Sequence, residues 1–246
     1  MHRFSFVTGV LLAVAVFPQV ASAQPPDPAL IERLSHHVEA INQLGKRASL
    51  HLESVMEELD GDGKVSSKMV EQARVEADGK AAHQVVEKAV KDGKDVTAEE
   101  QEKVKKEEAE EAESKKKGKN GDGPELAFPF STAASNDYVY DQVNVDAADP
   151  TRVEIAFTPK KPSKHTVEGK AWVDTTTGTI ISAGAKLSKP PTFVDWVHFT
   201  VELGAKTPLG PAMSHLTFEA RGGLLFIRKH VRGEVKMTDY RVAVAN

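Results

Sequence analysis

Three histidines, His198, His215 and His230, lie on strand-like segments near the end of the chain. Three imidazoles are enough to hold a zinc ion. No His-Glu-x-x-His motif accompanies them, however, and strand histidines at such spacing are ordinarily surface or half-buried groups. We therefore expect no metal site. His36 and His37 are adjacent on a helical segment, so they project about 100° apart and do not readily share an ion. Glu58, Asp60, Asp62 and Gly63 imitate the first half of a calcium loop. Its twelfth position is Met69, where calcium needs a bidentate carboxylate, so the stretch reads as a hairpin turn. Ser214 precedes His215, but neighbours in a strand face opposite sides of the sheet and cannot form a nucleophile–base pair. There is no Gly-x-Ser-x-Gly elbow and no phosphate or dinucleotide loop. The acid pairs Glu57-Glu58 and Glu99-Glu100 sit in charged stretches where no desolvation raises a carboxyl pKa. The expectation is a protein that is not an enzyme and uses no cofactor.

Composition narrows the class further. The 246 residues hold 32 Lys and Arg against 36 Asp and Glu, a net charge of −4, with no cysteine. That balance supplies no basic field for nucleic acid. Zero cysteine excludes disulfides, thiolate metal sites and S-acylation. Residues 1–23 have the three parts of a secretory signal peptide: Met1-His2-Arg3, the apolar run Val7 to Phe17, and Ala21-Ser22-Ala23. Cleavage is expected after Ala23. The apolar run falls well short of the roughly 20 residues that span a bilayer, and no other long apolar stretch follows. The mature chain is thus expected to have no transmembrane segment and to work in the periplasm or the extracellular space.

The elements follow from pattern. A Pro-rich leader occupies residues 24–27. Asp27-Pro28 then caps a helix over about 28–44, whose stripe includes Leu34, Val38 and Ile41, with Gly45 as its stop. Asp-Gly-Lys recurs at 62, 78 and 92, and the stretches 48–60, 64–76 and 80–91 read as successive antiparallel strands. Thr97 to Glu100 opens a charged helix, followed by a Gly-rich linker to Pro124; together they form a charged insertion at about 97–124. From Leu126 the chain turns to short strands: 138–145, 152–158, 166–174, 179–187, 193–203, 214–220, 224–231 and 234–242. Trp172, Phe193, Trp196, Phe199, Phe218, Phe226 and Tyr240 all lie in this last third. Residues 193–199 are apolar on both parities, which requires a second contact beyond one buried face. That contact is either the helix at 28–44 or an apolar ligand. Trp172, Phe193, Trp196, Phe199, Phe218 and Phe226 are the candidate groove, and Leu34, Val38 and Ile41 the contact side of a lid helix. On this reading a bound acyl chain blue-shifts the emission of Trp172 and Trp196.

Gly169-Lys170-Ala171-Trp172-Val173-Asp174, with a turn ending at Gly178 and then Thr179-Ile180, resembles the G-x-x-W-[IV]-D-x-x-x-G hairpin of bacterial outer-membrane lipoprotein carrier and sorting proteins. Thr238-Asp239-Tyr240-Arg241 is similar to the close of their uncharacterised exported relatives. Glu57 to Val65 and Asp92 to Glu100 are similar to upstream motifs of the same relatives. The resemblance spans roughly residues 48–242. It implies an α+β fold: an open, curved antiparallel sheet, or half-barrel, with helices on it, forming a single domain over 28–246. It also implies non-enzymatic binding of a lipid, a lipidated protein or another apolar ligand. The alternative is a structural protein of the envelope that meets other envelope proteins through sheet edges or the charged arm.

Overall fold

A helix opens the structure because the local signals agree. Asp27 Oδ1 accepts from Ala29 N–H at 2.9 Å, and Pro28 holds the first helical position. The computed structural model describes residues 24–77, 82–116, 128–224 and 227–242. The signal segment 1–23, the turn at 78–80, the linker at 117–124 and Phe226 lie outside them. Helix α1 spans Pro28–Arg47 and runs through Gly45, the expected stop. It ends only where strand β1 begins at Ala48, whose N–H bonds back to Leu44. The sheet, not the glycine, sets that boundary.

Two antiparallel meanders follow. The first is β1 (Ala48–Leu59), β2 (Val65–Ala77), β3 (Ala82–Lys91) and the two-residue β4 (Lys94–Asp95). The β1–β2 turn is held by Asp60, whose Oδ1 accepts from the N–H groups of Asp62 and Lys64, each at 2.9 Å. This Asx-type closure is the hairpin that the Asp-Gly signal predicts. Helix α2 (Thr97–Lys116) then leads to the second meander. That meander holds β5 (Tyr138–Val145), β6 (Arg152–Pro159), β7 (Val167–Asp174), β8 (Thr179–Leu187), β9 (Val194–Glu202), β12 (His215–Leu224) and β13 (Ile227–Val242). A small hairpin, β10 (Ala205–Thr207) with β11 (Gly210–Ala212), interrupts it.

The meanders join through β1 and β13, with Ala48 opposite Val242 and Leu59 opposite His230. The result is one open eleven-stranded antiparallel sheet in the order β4-β3-β2-β1-β13-β12-β9-β8-β7-β6-β5. Together with the two helices this is an α+β architecture. Two expected strand boundaries are overturned: β12 continues past Ala220 through Gly222 and Gly223 to Leu224, and the expected strands 224–231 and 234–242 are not separated at Gly233. β13 runs straight through it for 16 residues. A Cβ on Gly233 would lie 2.3 Å from the Phe218 ring, so the residue is small to let that ring lie flat on the strand.

The main core lies between α1 and the β5–β9 end of the sheet. Leu34 and Val38 of α1 are buried with Val153, Ile155, Phe157 and Val173. Phe130 closes the end, its ring 5.2 Å from Tyr140 and 5.6 Å from Phe157. Arg33 seats the helix over the β7–β8 turn, donating to the Thr175 carbonyl at 3.0 Å. Gly178 lies directly beneath it with φ +69°, where an added Cβ would come within 2.4 Å of the Arg33 Cβ.

His37 locks the same contact. Its Nδ1 accepts from Ile180 N–H at 2.9 Å, so Nε2 carries the proton and donates to the Pro211 carbonyl at 3.0 Å. Burial lowers its pKa from the ordinary 6.5, opposed by the Pro211 bond. The folded chain therefore binds fewer protons here than the unfolded chain. The contribution is intact above pH 6.5 and declines as pH falls below it. In chemical denaturation between pH 7 and pH 5 we expect stability to drop, and His37→Phe to flatten that slope. An equal slope in the variant would exclude His37 as the cause.

Candidate functional site

Strand register sorts every side chain of the sheet onto one of two faces, because paired residues share a face and neighbours in a strand alternate. Met69, Met56, Gly233, Phe218, Phe199, Ala185, Gly169, Phe157 and Tyr140 pair one to the next from β2 to β5. They form a single apolar row across nine strands. It lies on the helix-bearing face, since Phe157 belongs to the core beneath α1 and Phe199 packs against that core. Leu216, Val201 and Val235 flank it in the next row. α1 makes its main contacts with β8 and β11, and α2 with β3. Between them the row is only partly covered: Met56 is 40% exposed, and Met69, Phe199 and Phe218 are half-buried.

One residue along, the opposite face carries the reverse chemistry. Lys68, Glu57, Arg232, Glu219, His198, Lys186 and Glu168 pair in turn from β2 to β7. Their charges largely alternate in sign. Glu57 bonds Arg232 at 2.7 Å and Lys68 at 3.2 Å, and those two cations hold its carboxyl pKa below the usual value. Lys186 meets Glu168 at 2.9 Å. A hollow of about 590 Å³ opens on this charged face, walled by Glu57, Lys68, His198, Glu219 and Arg232. Three of these five wall groups, Glu57, Lys68 and Arg232, are already committed to ion pairs with each other.

The candidate groove residues divide between the faces. Phe199 and Phe218 sit directly opposite one another in the apolar row. Trp172 pairs with Ser182, and Trp196 with Arg221, on the charged face. Trp196 stacks on His198 with centroids 4.9 Å apart and meets the His230 ring edge-on at 5.5 Å. Phe193 precedes β9 and is 57% exposed. Of the proposed lid residues, Leu34 and Val38 are buried in the core and Ile41 packs against it.

The three strand histidines share the charged face, but no carboxylate is shared between them. His215 bonds Glu234 at 3.0 Å and His230 bonds Glu219 at 2.6 Å, while His198 lies on Trp196. No cluster able to hold a metal occurs among the described residues. Ser214 Oγ accepts from Gly204 N–H, away from His215. Met56 and Met69 were absent from the sequence-derived groove. Their membership depends on the β1–β13 register, which no local pattern carries.

No family model matches the chain, and no curated protein does. Among solved structures it is similar to a DUF1329 family protein from Desulfovibrio piger, at 13% identity over 91% of this chain and 95% of that one, TM-score 0.42. It is also similar to a LolA superfamily protein from Nitrosomonas europaea, at 9% identity over 85% and 94%, TM-score 0.33. A third likeness is to the Pseudomonas aeruginosa MucA/MucB complex, at 13% identity over 86% and 99%, TM-score 0.22. The likeness is distant in all three. At TM-scores this low it decides nothing about the site, which rests on its own residues.

Proposed function

We propose that this chain is an exported, non-enzymatic binder or carrier of an acyl chain, belonging to a lipid or a lipidated protein, and that it works in the periplasm. The observation that carries the reading is the half-exposed segment of the apolar row from Met69 to Phe199. Across five strands it runs about 19 Å at the usual strand spacing, the reach of a long acyl chain. Unbranched Met side chains at one end and flat Phe rings at the other accept a flexible apolar guest. Burial there would supply about 0.8 kcal/mol per methylene. The sequence resemblance to lipoprotein carriers supports the same reading, with the helix-bearing face as the inside of a half-barrel.

The test is titration with a fluorescent fatty acid while tryptophan emission is followed. Saturable one-to-one binding is expected, with emission essentially unchanged, because Trp172 and Trp196 lie on the other face. A marked blue shift would move the ligand to the charged face. Absence of saturable binding would defeat the carrier reading and leave an envelope-interaction protein.

A further inference from the structure

The apolar row does not stop at Met69. Met69 pairs with Lys91 of β3, and Lys91 pairs with Lys94 of β4. Paired residues share a face, so the same line runs on into two lysines on the helix-bearing side. At the usual strand spacing Lys91 stands about 5 Å beyond Met69. The opposite end is shut: past Phe199 the row enters the core, where Phe157 is only 2% exposed. The half-exposed segment therefore has a closed apolar end and an open cationic end.

α2 leaves the cationic end uncovered. Thr97 Oγ1 accepts from Ala89 N–H, Gln101 Nε2 donates to the Val86 carbonyl, and Glu108 Oε1 accepts from Gln84 N–H. The helix thus follows β3 away from Lys91. Lys91 and Lys94 are both exposed and flank the Asp92-Gly93 turn. With φ of +50° at Asp92 and +80° at Gly93, that tight turn fixes the two lysines opposite each other.

Like charges placed directly opposite are destabilising. Neither lysine is in an ion pair among the described residues. Asp92 lies between them, but its carboxylate is turned to β2. Its Oδ1 accepts from Lys68 N–H at 2.7 Å and its Oδ2 from Ser67 Oγ at 2.9 Å. Those bonds, helped by the field of the two lysines, hold its carboxyl below the usual range. Two neighbouring acids of the same face are also engaged, Glu58 with Lys229 at 3.3 Å and Glu71 with Gln84 at 2.8 Å. The turn thus holds two cations together at the mouth of an apolar track.

We propose that Lys91 and Lys94 bind the anionic head of the guest, so that the row takes a single-chain amphiphile in one direction. The carboxylate or phosphate sits at the two ammonium groups, and the tail runs over Met69, Met56 and Phe218 to Phe199. Ammonium groups give such a head charge-assisted hydrogen bonds and relieve their own repulsion by doing so. This rests on the acyl-binding reading above and adds the ligand class and its orientation.

The experiment titrates the full chain with a fluorescent fatty acid and with its methyl ester, which has the same tail and no charge. Wild type should bind the acid about fivefold more tightly than the ester, the scale of two solvent-exposed ion pairs. The preference should shrink in high salt. Lys91→Gln with Lys94→Gln should abolish it and leave ester affinity unchanged, which shows that the row is intact. Lys88→Gln is the control, since Lys88 pairs with Gln72 on the opposite face. Competition by palmitate and by lysophosphatidylglycerol separates the two sources of an anionic head: the one that fits loses affinity in the double variant. Equal affinity for acid and ester in wild type overturns the inference while the acyl reading stands, and points to a guest with a neutral head. A preference that survives in the double variant removes the lysines as the head site. Binding of neither ligand overturns both readings together.

Discussion

Leu34→Ala is expected to lower the unfolding free energy by about 3–4 kcal/mol, near the middle of the range for fully buried leucines. Leu34 is 0% exposed, and α1 lays it into the same core as Ile155 and Phe157. Truncation leaves a cavity that flanking strands cannot close, because they are bonded on both sides. Denaturant unfolding should show a lower midpoint with the same slope. Fatty-acid affinity, measured where the variant is still folded, should change by less than about threefold, since the open part of the row lies on other strands. A helix that acted as a mobile lid would reverse this pattern, with large changes in affinity and small ones in stability.

Met56→Glu should do the opposite. Met56 is 40% exposed toward the methionine end of the open row, so the folded chain loses little by the exchange. An acyl chain lying across it would have to cover a carboxylate, at a cost no smaller than the about 1–3 kcal/mol of a neutral polar group. That corresponds to a dissociation constant about 5- to 150-fold higher. Val70→Glu is the matched control: equally exposed, on the neighbouring strand, but facing the charged side. Equal loss of binding in both variants would point to a general effect of charge and would remove the row as the site.

Much of the architecture was legible because local chemistry carried it. Asp27-Pro28 and the stripe through Leu34 and Val38 located α1, and Asp60 to Lys64 located the first hairpin. The Thr-Thr-Thr-Gly turn located β7–β8. The site was harder, for a reason of register. Residues 193–199 are apolar on both parities, and this read as a strand with ligand or helix on one side. In the sheet, Val197 and Phe199 face the helices while Trp196 lies against His198 on the other side. Parity alone separates Trp196 from Phe199. It cannot say which residues of distant strands join either of them. That depends on β1 meeting β13, a pairing between opposite ends of the chain. Gly233 misled for a related reason: its partner, the Phe218 ring, lies on another strand.

The β1–β13 seam also imposes an order in time. The first meander presents β1 as an open edge from the moment it is made, and the strand that closes it, β13, comes after every other described strand of the sheet in chain order. A one-residue slip there would put the charges of one half-sheet in line with the apolar row of the other, so the wrong register is penalised at every rung. Slow, accurate closure follows from the topology, because contacts this distant in sequence lose the most chain entropy before they form. Throughout that interval the newly made chain depends on whatever else keeps β1 from pairing with a stranger.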